Sequence, residues 1–337
     1  MSVALDLGTS CFRSLRPAGG RLLARRFPAV YVAVDDLPAQ RRLLESSAIP
    51  YVTSDGGLVV MGDPALEIAR MLKRPCVPLL PQGQIPEHDP LGRQVIAAAL
   101  ESLLPQGNGD ECAMILPIAT QRSPEQQMFF ERLLRLRGYR PTTVTSGEAT
   151  ILATLGDQAF TGIGFSLGAS GARVTIGHRG RILAEATSPR GGDWLDEQFA
   201  FQTERFLWDA DGNQYLDLNA IAQWKNQTAL SVLNPQTREE GLITDLYREL
   251  LRPILAEGAT LCQKTPWLAT YPTPLQLVCT GGPTKIQGFS ILMRHLLQAL
   301  RWPVEIGEIR CPAGDEFLNA RGALIRATLD NSVAAAA

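Results

Sequence analysis

The feature that most constrains this chain is a block that occurs twice. Val3-Ala4-Leu5-Asp6-Leu7 is a short apolar run broken by one acid and stopped by Gly8-Thr9-Ser10. A second run follows from Cys11 to Leu15, and Gly19-Gly20 makes a hairpin before Arg21-Leu22-Leu23-Ala24. About 160 residues later the same order returns. Gly162–Leu167 reads as a strand, Gly168-Ala169-Ser170-Gly171 as a turn, Ala172–Ile176 as a strand, His178-Arg179-Gly180 as a hairpin, and Arg181–Ala186 as a third strand. A chain that writes strand, small-residue turn, strand, hairpin, strand twice is expected to be a duplicated architecture with one sheet in each half.

The intervening segments read mainly as helices. In the first half, Pro64 opens a helix over Ala65–Leu72, and a Pro- and Gly-rich loop covers Arg74–Asp89. A helix follows over 90–104, then a buried strand at Cys112–Pro117. Ser123 caps a helix to Leu136, with Pro124 first and Gln126 third. A strand at Thr142–Thr145 and a helix at Glu148–Leu155 complete that half. Beyond the second block the pattern gives helices at 193–209, 217–226 and 242–263, and a strand Leu275–Cys279 ended by Thr280-Gly281-Gly282-Pro283. A helix Gln287–Ala299, a strand Val304–Ile306 and a helix Phe317–Ala327 precede a tail, 328–337, read as disordered.

Composition narrows the function classes. At 45% hydrophobic and 20% charged the 337 residues describe a soluble globular protein rather than a disordered one. Lys+Arg at 32 against Asp+Glu at 34 leaves a net charge of -2, which argues against a dedicated nucleic-acid or anionic-membrane surface. No apolar run reaches the ~18 residues of a membrane span. The six cysteines contain no C-x-x-C pair and read as reduced thiols of a cytoplasmic protein, and the three histidines are too scattered for a zinc site.

Three glycine-containing turns each end an apolar strand: Gly8-Thr9-Ser10, Gly168-Ala169-Ser170-Gly171 and Gly281-Gly282. Small residues let backbone N–H groups and hydroxyls approach a phosphate with no Cβ in the way. No G-x-x-x-x-G-K-[ST] is present, which excludes a P-loop, and Gly162–Gly171 leads into a strand rather than a helix, which argues against a dinucleotide fold.

Taken together these residues resemble the actin, DnaK-type chaperone and sugar-kinase superfamily over nearly the whole chain. Leu5–Ser10 resembles its first phosphate motif, Phe165–Gly171 its second, and Cys279–Pro283 through Gly288-Phe289 its adenosine motif. Ser146–Thr150 and Ala320-Arg321-Gly322-Ala323 match its two connecting helices, while Gly62–Ala65 and Gly191–Asp196 match stretches found in MreB and the chaperones. By length and by the small second subdomain fitted to Pro78–Leu100, the nearest architectural relative is a bacterial actin of the MreB type.

The resemblance implies an α/β fold of two lobes, each a ribonuclease-H-like mixed five-stranded sheet, with nucleotide between them. The lobes would span 1–150, with an inserted subdomain over about 28–100, and 151–327, with a shortened outer subdomain over about 210–245. It implies ATP or ADP with Mg²⁺ as cofactors, Asp6 holding the metal through water, and Thr9 and Ser10 after Gly8 lining the phosphates. Gly168, Ala169, Ser170, Gly171, Gly191 and Gly192 would surround the same nucleotide, and Glu148 would orient the attacking water. From the residues alone, Glu148 is equally a helix-first-turn acid favoured by the dipole. Gly281, Gly282, Pro283 and Lys225 would flank the adenosine half, with Lys225 otherwise a solvated helix lysine.

In place of the acid that usually opens the second phosphate motif stands Ser166, and Gly171 replaces its threonine. Mg²⁺ would then lean on Asp6 alone, and hydrolysis is expected to be slow. The leading expectation is an actin-like, nucleotide-switched protein that self-associates into filaments or binds a protein partner. The alternatives are a scaffold on the same fold without useful turnover, or a small-molecule kinase of the superfamily. The kinase would need a larger acceptor insertion and an acid at the head of the second half.

Overall fold

The computed structural model describes residues 2–54, 57–72, 76–208, 212–227, 230–265, 268, 274–312 and 314–336. The chain divides into two compact units, Met1–Val144 with Ala323–Ala337, and Thr145–Gly322.

The first unit contains β1 (Ser2–Leu7), β2 (Cys11–Ala18), β3 (Arg21–Pro28), β4 (Val30–Asp35), α1 (Pro38–Ser46), β5 (Val52–Ser54), β6 (Gly57–Met61), α2 (Asp63–Leu72) and β7 (Val77–Pro78). It continues with α3 (Pro90–Leu103), β8 (Asp110–Ile115), α4 (Ile118–Gln121), α5 (Pro124–Leu136) and β9 (Tyr139–Val144). Its five-stranded sheet runs β3-β2-β1-β8-β9. β1 pairs antiparallel with β2 and parallel with β8, and β8 parallel with β9, because helical crossovers separate β8 and β9 from their neighbours while a three-residue turn joins β1 to β2 and a two-residue turn joins β2 to β3. Gly19 and Gly20 both take positive φ, 56° and 77°, the geometry a two-residue hairpin demands. Val3, Leu5 and Leu7 of β1 bury one face against Val95, Ile96, Ala99 and Leu100 of α3 and Phe130 and Leu134 of α5.

A second, four-stranded sheet, β5-β6-β4-β7, has its own core of Val32, Val34, Leu44, Leu58, Val60 and Ile68 beneath α1 and α2. These elements span residues 30–78, a narrower stretch than the 28–100 expected for an inserted subdomain. α3, placed with it by sequence, belongs to the main core instead, since its buried stripe faces β1. Gly56-Gly57, a pair that reads in the sequence as a further hairpin, lies partly outside the described residues.

The second unit contains α6 (Ser146–Thr154), β10 (Gly162–Leu167), β11 (Ala172–His178), β12 (Arg181–Ser188), α7 (Gly192–Gln202), β13 (Phe206–Trp208) and β14 (Gln214–Leu216). α8 (Leu218–Gln227), α9 (Arg238–Gln263), β15 (Leu275–Thr280), α10 (Phe289–Ala299), β16 (Ile306–Arg310) and α11 (Leu318–Ala336) follow. Its sheet, β12-β11-β10-β15-β16, repeats the topology of the first sheet strand for strand. The β11–β12 turn again places both central residues at positive φ, Arg179 at 49° and Gly180 at 75°. Leu246, Leu250, Leu251, Ile254 and Leu255 of α9 cover one face together with Leu292, Met293 and Leu296 of α10.

Three expectations are corrected here. The helix expected over 193–209 stops at Gln202 and β13 begins at Phe206, because Glu204 takes a positive φ of 53° that no helix continues. The strand expected at 304–306 begins at Ile306 and runs to Arg310. The last helix passes Ala327 and reaches Ala336 where a disordered tail was expected; alanine has the highest helix propensity of any residue. α11 begins in the second unit and from Ala323 belongs to the first, where the carbonyl of Ala327 accepts from Ser2 Oγ at 3.1 Å.

Candidate functional site

In the first unit, β1 ends on Asp6 and Leu7, and Gly8, Thr9 and Ser10 turn the chain into β2. A Cβ on Gly8 would stand 3.0 Å from the carbonyl oxygen of Cys11, so the turn is tight enough to disfavour a side chain there. The turn is pinned from outside by Ala29, whose N–H donates to Ser10 O at 3.1 Å. Antiparallel pairing sets Asp6 opposite Arg13, and the guanidinium Nη1 lies 3.9 Å from Asp6 Oδ2. Burial pushes the Asp6 carboxyl up to about 6, against the pull of Arg13 in the other direction. Arg13 was not among the residues expected from sequence. Its signal was the hairpin register, which returns a residue seven positions after the acid to the acid's side.

The second unit repeats this register with different chemistry. Ser166 stands where β1 has Asp6, and it faces Arg173 as Asp6 faces Arg13. Arg173 is turned to another carboxylate: its Nη1 donates to Glu185 Oε2 at 2.8 Å. Glu185 also accepts from Thr175 Oγ1 at 2.7 Å and from Thr145 Oγ1 at 2.6 Å. Thr145 is in turn the N-cap of α6 and accepts from the N–H of Glu148 at 3.2 Å. The Arg173–Glu185 pair thus holds the start of α6 down on β11. Gly147 permits that approach, since a Cβ there would lie 1.9 Å from Thr175 Oγ1. Glu148 is buried in this first turn, 9% exposed.

Three glycine segments of the second unit pack directly on one another. The turn Gly168–Gly171 closes with Gly168 N–H donating to Gly171 O at 2.8 Å. The segment Gly191-Gly192, which starts α7, lies against that turn. Gly192 N–H donates to Gly168 O at 2.9 Å and Asp193 N–H to Ala169 O at 2.8 Å. A Cβ on Gly191 would sit 2.3 Å from Ala169 O and 2.4 Å from Gly171 N. Gly281 follows β15 at φ +108°, where a Cβ would lie 1.8 Å from Leu167 O. Pro283 completes the group, its Cγ 3.0 Å from a Cβ built on Gly192 and its carbonyl accepting from Tyr247 at 2.9 Å. Next to Gly281, Thr280 Oγ1 and Thr150 Oγ1 are 2.8 Å apart, and Thr150 Oγ1 donates to Asn319 Oδ1 at 3.2 Å. Gly322 lets α11 cross α6, because a Cβ would fall 1.8 Å from Ala149 O. Gly282 is different: a Cβ there meets nothing within 4 Å.

Of the sequence-selected residues, the structure therefore brings together Gly168, Ala169, Gly171, Gly191, Gly192, Gly281 and Pro283, with Ser170 in the same turn. Lys225 pairs instead with α7. Its ammonium bonds both carboxylate oxygens of Asp196, at 2.5 and 2.6 Å. One turn earlier on α7, Asp193 is pushed up to about 6 by burial and by the neighbouring Asp196 and Glu197, against Lys225. Asp6, Gly8, Thr9 and Ser10 belong to the first unit.

Mg²⁺ keeps most of its water and needs few protein carboxylates, and among the described residues no three His, Cys, Asp or Glu side chains cluster to hold a metal. Asp6, a single buried carboxylate, suits an ion that keeps most of its water, and Ser166 adds no charge.

A family model described as Volactin matches residues 1–327. The chain belongs to the Volactin family. No curated protein matches this Volactin-family chain. Among solved structures it is similar to the MamK double helical filament, with 16% identity, 97% of this chain and 99% of that chain covered, and a TM-score of 0.70. It is also similar to a non-polymerising MamK mutant bound to AMPPNP, with 16% identity, coverage of 97% and 98%, and a TM-score of 0.54. At that identity the likeness establishes the fold, and this Volactin-family chain has the actin-like α/β architecture expected from its repeated block. Among the described residues no helix is long and apolar enough to cross a membrane.

Proposed function

We propose that this chain binds ATP or ADP with Mg²⁺ and assembles into filaments under the control of the bound nucleotide. The observation that carries the reading is the packing of Gly168–Gly171, Gly191-Gly192 and Gly281–Pro283, in which Gly191 and Gly281 lie too close to neighbouring backbone to carry a Cβ while Gly282 faces open space. Side-chain-free backbone of this kind is what a phosphate or nucleoside needs for close approach. The likeness to a MamK filament and to a MamK mutant bound to AMPPNP supports the same reading.

The residues divide the work in a way their chemistry dictates. Asp6 would orient the waters of Mg²⁺, which when bound neutralises phosphate charge. Arg13 adds a second positive charge beside the Gly8-Thr9-Ser10 turn. Glu148 is the carboxylate for positioning a water. Turnover is slow, because Ser166 brings no charge and Arg173 is held by Glu185. The protein would act in the cytoplasm as a cytoskeletal switch.

The test is sedimentation of purified protein with ATP, ADP, AMPPNP or no nucleotide. The reading expects pelletable polymer with ATP and AMPPNP and less with ADP. Equal sedimentation in all four conditions would overturn nucleotide control. Assembly with ATP but no measurable phosphate release would favour the scaffold alternative over the ATPase.

A further inference from the structure

We propose that Cys279 and Cys311 form a redox-active dithiol that closes to a disulfide under hydroperoxide, pinning the end of β15 to the end of β16. This inference does not depend on nucleotide binding. The two strands are parallel neighbours, with Leu277 paired to Ile309 and Val278 to Arg310. The next residue of β15 is Cys279, and the first residue past the end of β16 is Cys311. Side chains alternate along a strand, so Cys279 shares a face with Leu277 and Cys311 with Ile309. The packing agrees: Leu277, Ile309 and Cys279 lie in one core with Cys311 against it, while Val278 faces the opposite side with Ile151 and Leu155. Neighbouring strands lie about 4.7–4.9 Å apart, inside the roughly 4.4–6.8 Å Cα separation that a disulfide spans.

The two thiols differ in the way the chemistry requires. Cys279 is fully buried, and Cys311 is half-buried at the strand end. The neighbouring Cys279 thiol holds Cys311 below the ordinary thiol range, while Cys279 is raised by burial first and by Cys311 second. Cys311 is thus the thiol that a hydroperoxide reaches first, and the buried Cys279 is the resolving thiol. By contrast Cys11, Cys76, Cys112 and Cys262 are all raised, with burial as the first cause.

In the first step the Cys311 sulfur attacks one peroxide oxygen, the O–O bond breaks, and the departing oxygen leaves as water or alcohol, giving a sulfenic acid. In the second step the Cys279 sulfur attacks Cys311 sulfur, the S–O bond breaks, and hydroxide leaves with the Cys279 proton as water. Two thiols lose two electrons and the hydroperoxide gains them. The new bond sits one residue before Thr280, whose successor Gly281 packs on the Leu167 carbonyl, so oxidation would restrain that turn.

Reduced full-length protein would be treated with equimolar hydrogen peroxide and mapped by peptide mass spectrometry without reduction. The expected result is one cross-linked pair of peptides, containing Cys279 and Cys311, that dithiothreitol separates, with Cys76 still alkylatable. Cys279→Ser should leave a sulfenic acid on Cys311 that dimedone traps, and Cys311→Ser should suppress oxidation of Cys279. Oxidation that reaches Cys76 first would overturn the proposal. So would a stable Cys311 sulfenic acid in the unaltered protein, or equal cross-linking to a third cysteine.

Discussion

Gly191→Ala isolates the packing of the glycine turns, because its backbone conformation, φ -142°, is one that alanine adopts without strain. The added methyl meets backbone on three sides, at 2.3 Å from Ala169 O, 2.4 Å from Gly171 N and 2.6 Å from Gly168 O. None of those atoms belongs to a flexible side chain, so the Gly168–Gly171 turn or the start of α7 must move. Either movement breaks the hydrogen bonds from Gly192 N–H to Gly168 O and from Asp193 N–H to Ala169 O. Two such bonds contribute about 1 kcal/mol each, and overpacking adds roughly 1–3 kcal/mol, giving a loss of about 3–5 kcal/mol. At about 2–4 °C per kcal/mol for a unit of this size, Tm should fall by at least ~6 °C. Gly282→Ala is the control, since its methyl enters open space and its effect on stability should stay within about 0.5 kcal/mol. Thermal unfolding followed by circular dichroism reads both. A Tm loss below about 2 °C for Gly191→Ala, or an equal loss for Gly282→Ala, would refute the reasoning.

Three further outcomes follow from the same geometry. Asp6 carries a folded-state pKa of about 6 against an ordinary aspartate value of 3.8, so its contribution to stability is fully present below about pH 4 and is lost as pH rises through 6. Asp6→Asn should therefore raise stability at pH 7–8 by up to about 3 kcal/mol and leave it unchanged near pH 3.5, read as Tm against pH in the absence of nucleotide. Ser166→Asp restores an acid to the second phosphate turn and should raise Mg²⁺-dependent phosphate release by about tenfold or more, about 1.4 kcal/mol of barrier; an unchanged rate would show that Ser166 does not limit turnover. Leu207, Trp208 and Tyr215 expose apolar surface on the β13–β14 hairpin at 50%, 67% and 54%. Trp208→Ser should leave Tm within about 2 °C of the parent while reducing ATP-dependent sedimentation, and full sedimentation would remove this hairpin from the filament contact.

The duplicated sheets were legible because small residues end the strands at Gly8, Gly168 and Gly281, and because two-residue hairpins punctuate both blocks. The packed glycine group was legible for the same reason, and its tightest members, Gly191 and Gly281, are glycines whose Cβ would strike backbone. What stayed hidden lacks a residue-type signal. Glu204 ends α7 in a conformation usually given to glycine or asparagine, so the aromatic spacing of Phe199, Phe201 and Phe206 reads as helix past its true end. Arg301 takes a similar conformation before β16, with φ 48°, and the strand expected at 304–306 begins at Ile306. The small sheet went unread as a unit because β5 and β7 are only three and two residues long. Arg13 and Arg173 become visible only through pairing register, which brings each back beside Asp6 or Ser166 across a hairpin. Glu185, which fixes Arg173 and the cap of α6, lies twelve residues further along and is found only by following β11 into β12.

The central claim is that nucleotide occupies the space in front of Gly282, and calorimetric titration of Mg-ATP into the parent protein and into Gly282→Arg tests it most directly. The account predicts one nucleotide bound per chain in the parent, and loss of that binding in the variant with Tm preserved. No binding to the parent, or undiminished binding to a folded Gly282→Arg protein, would contradict it.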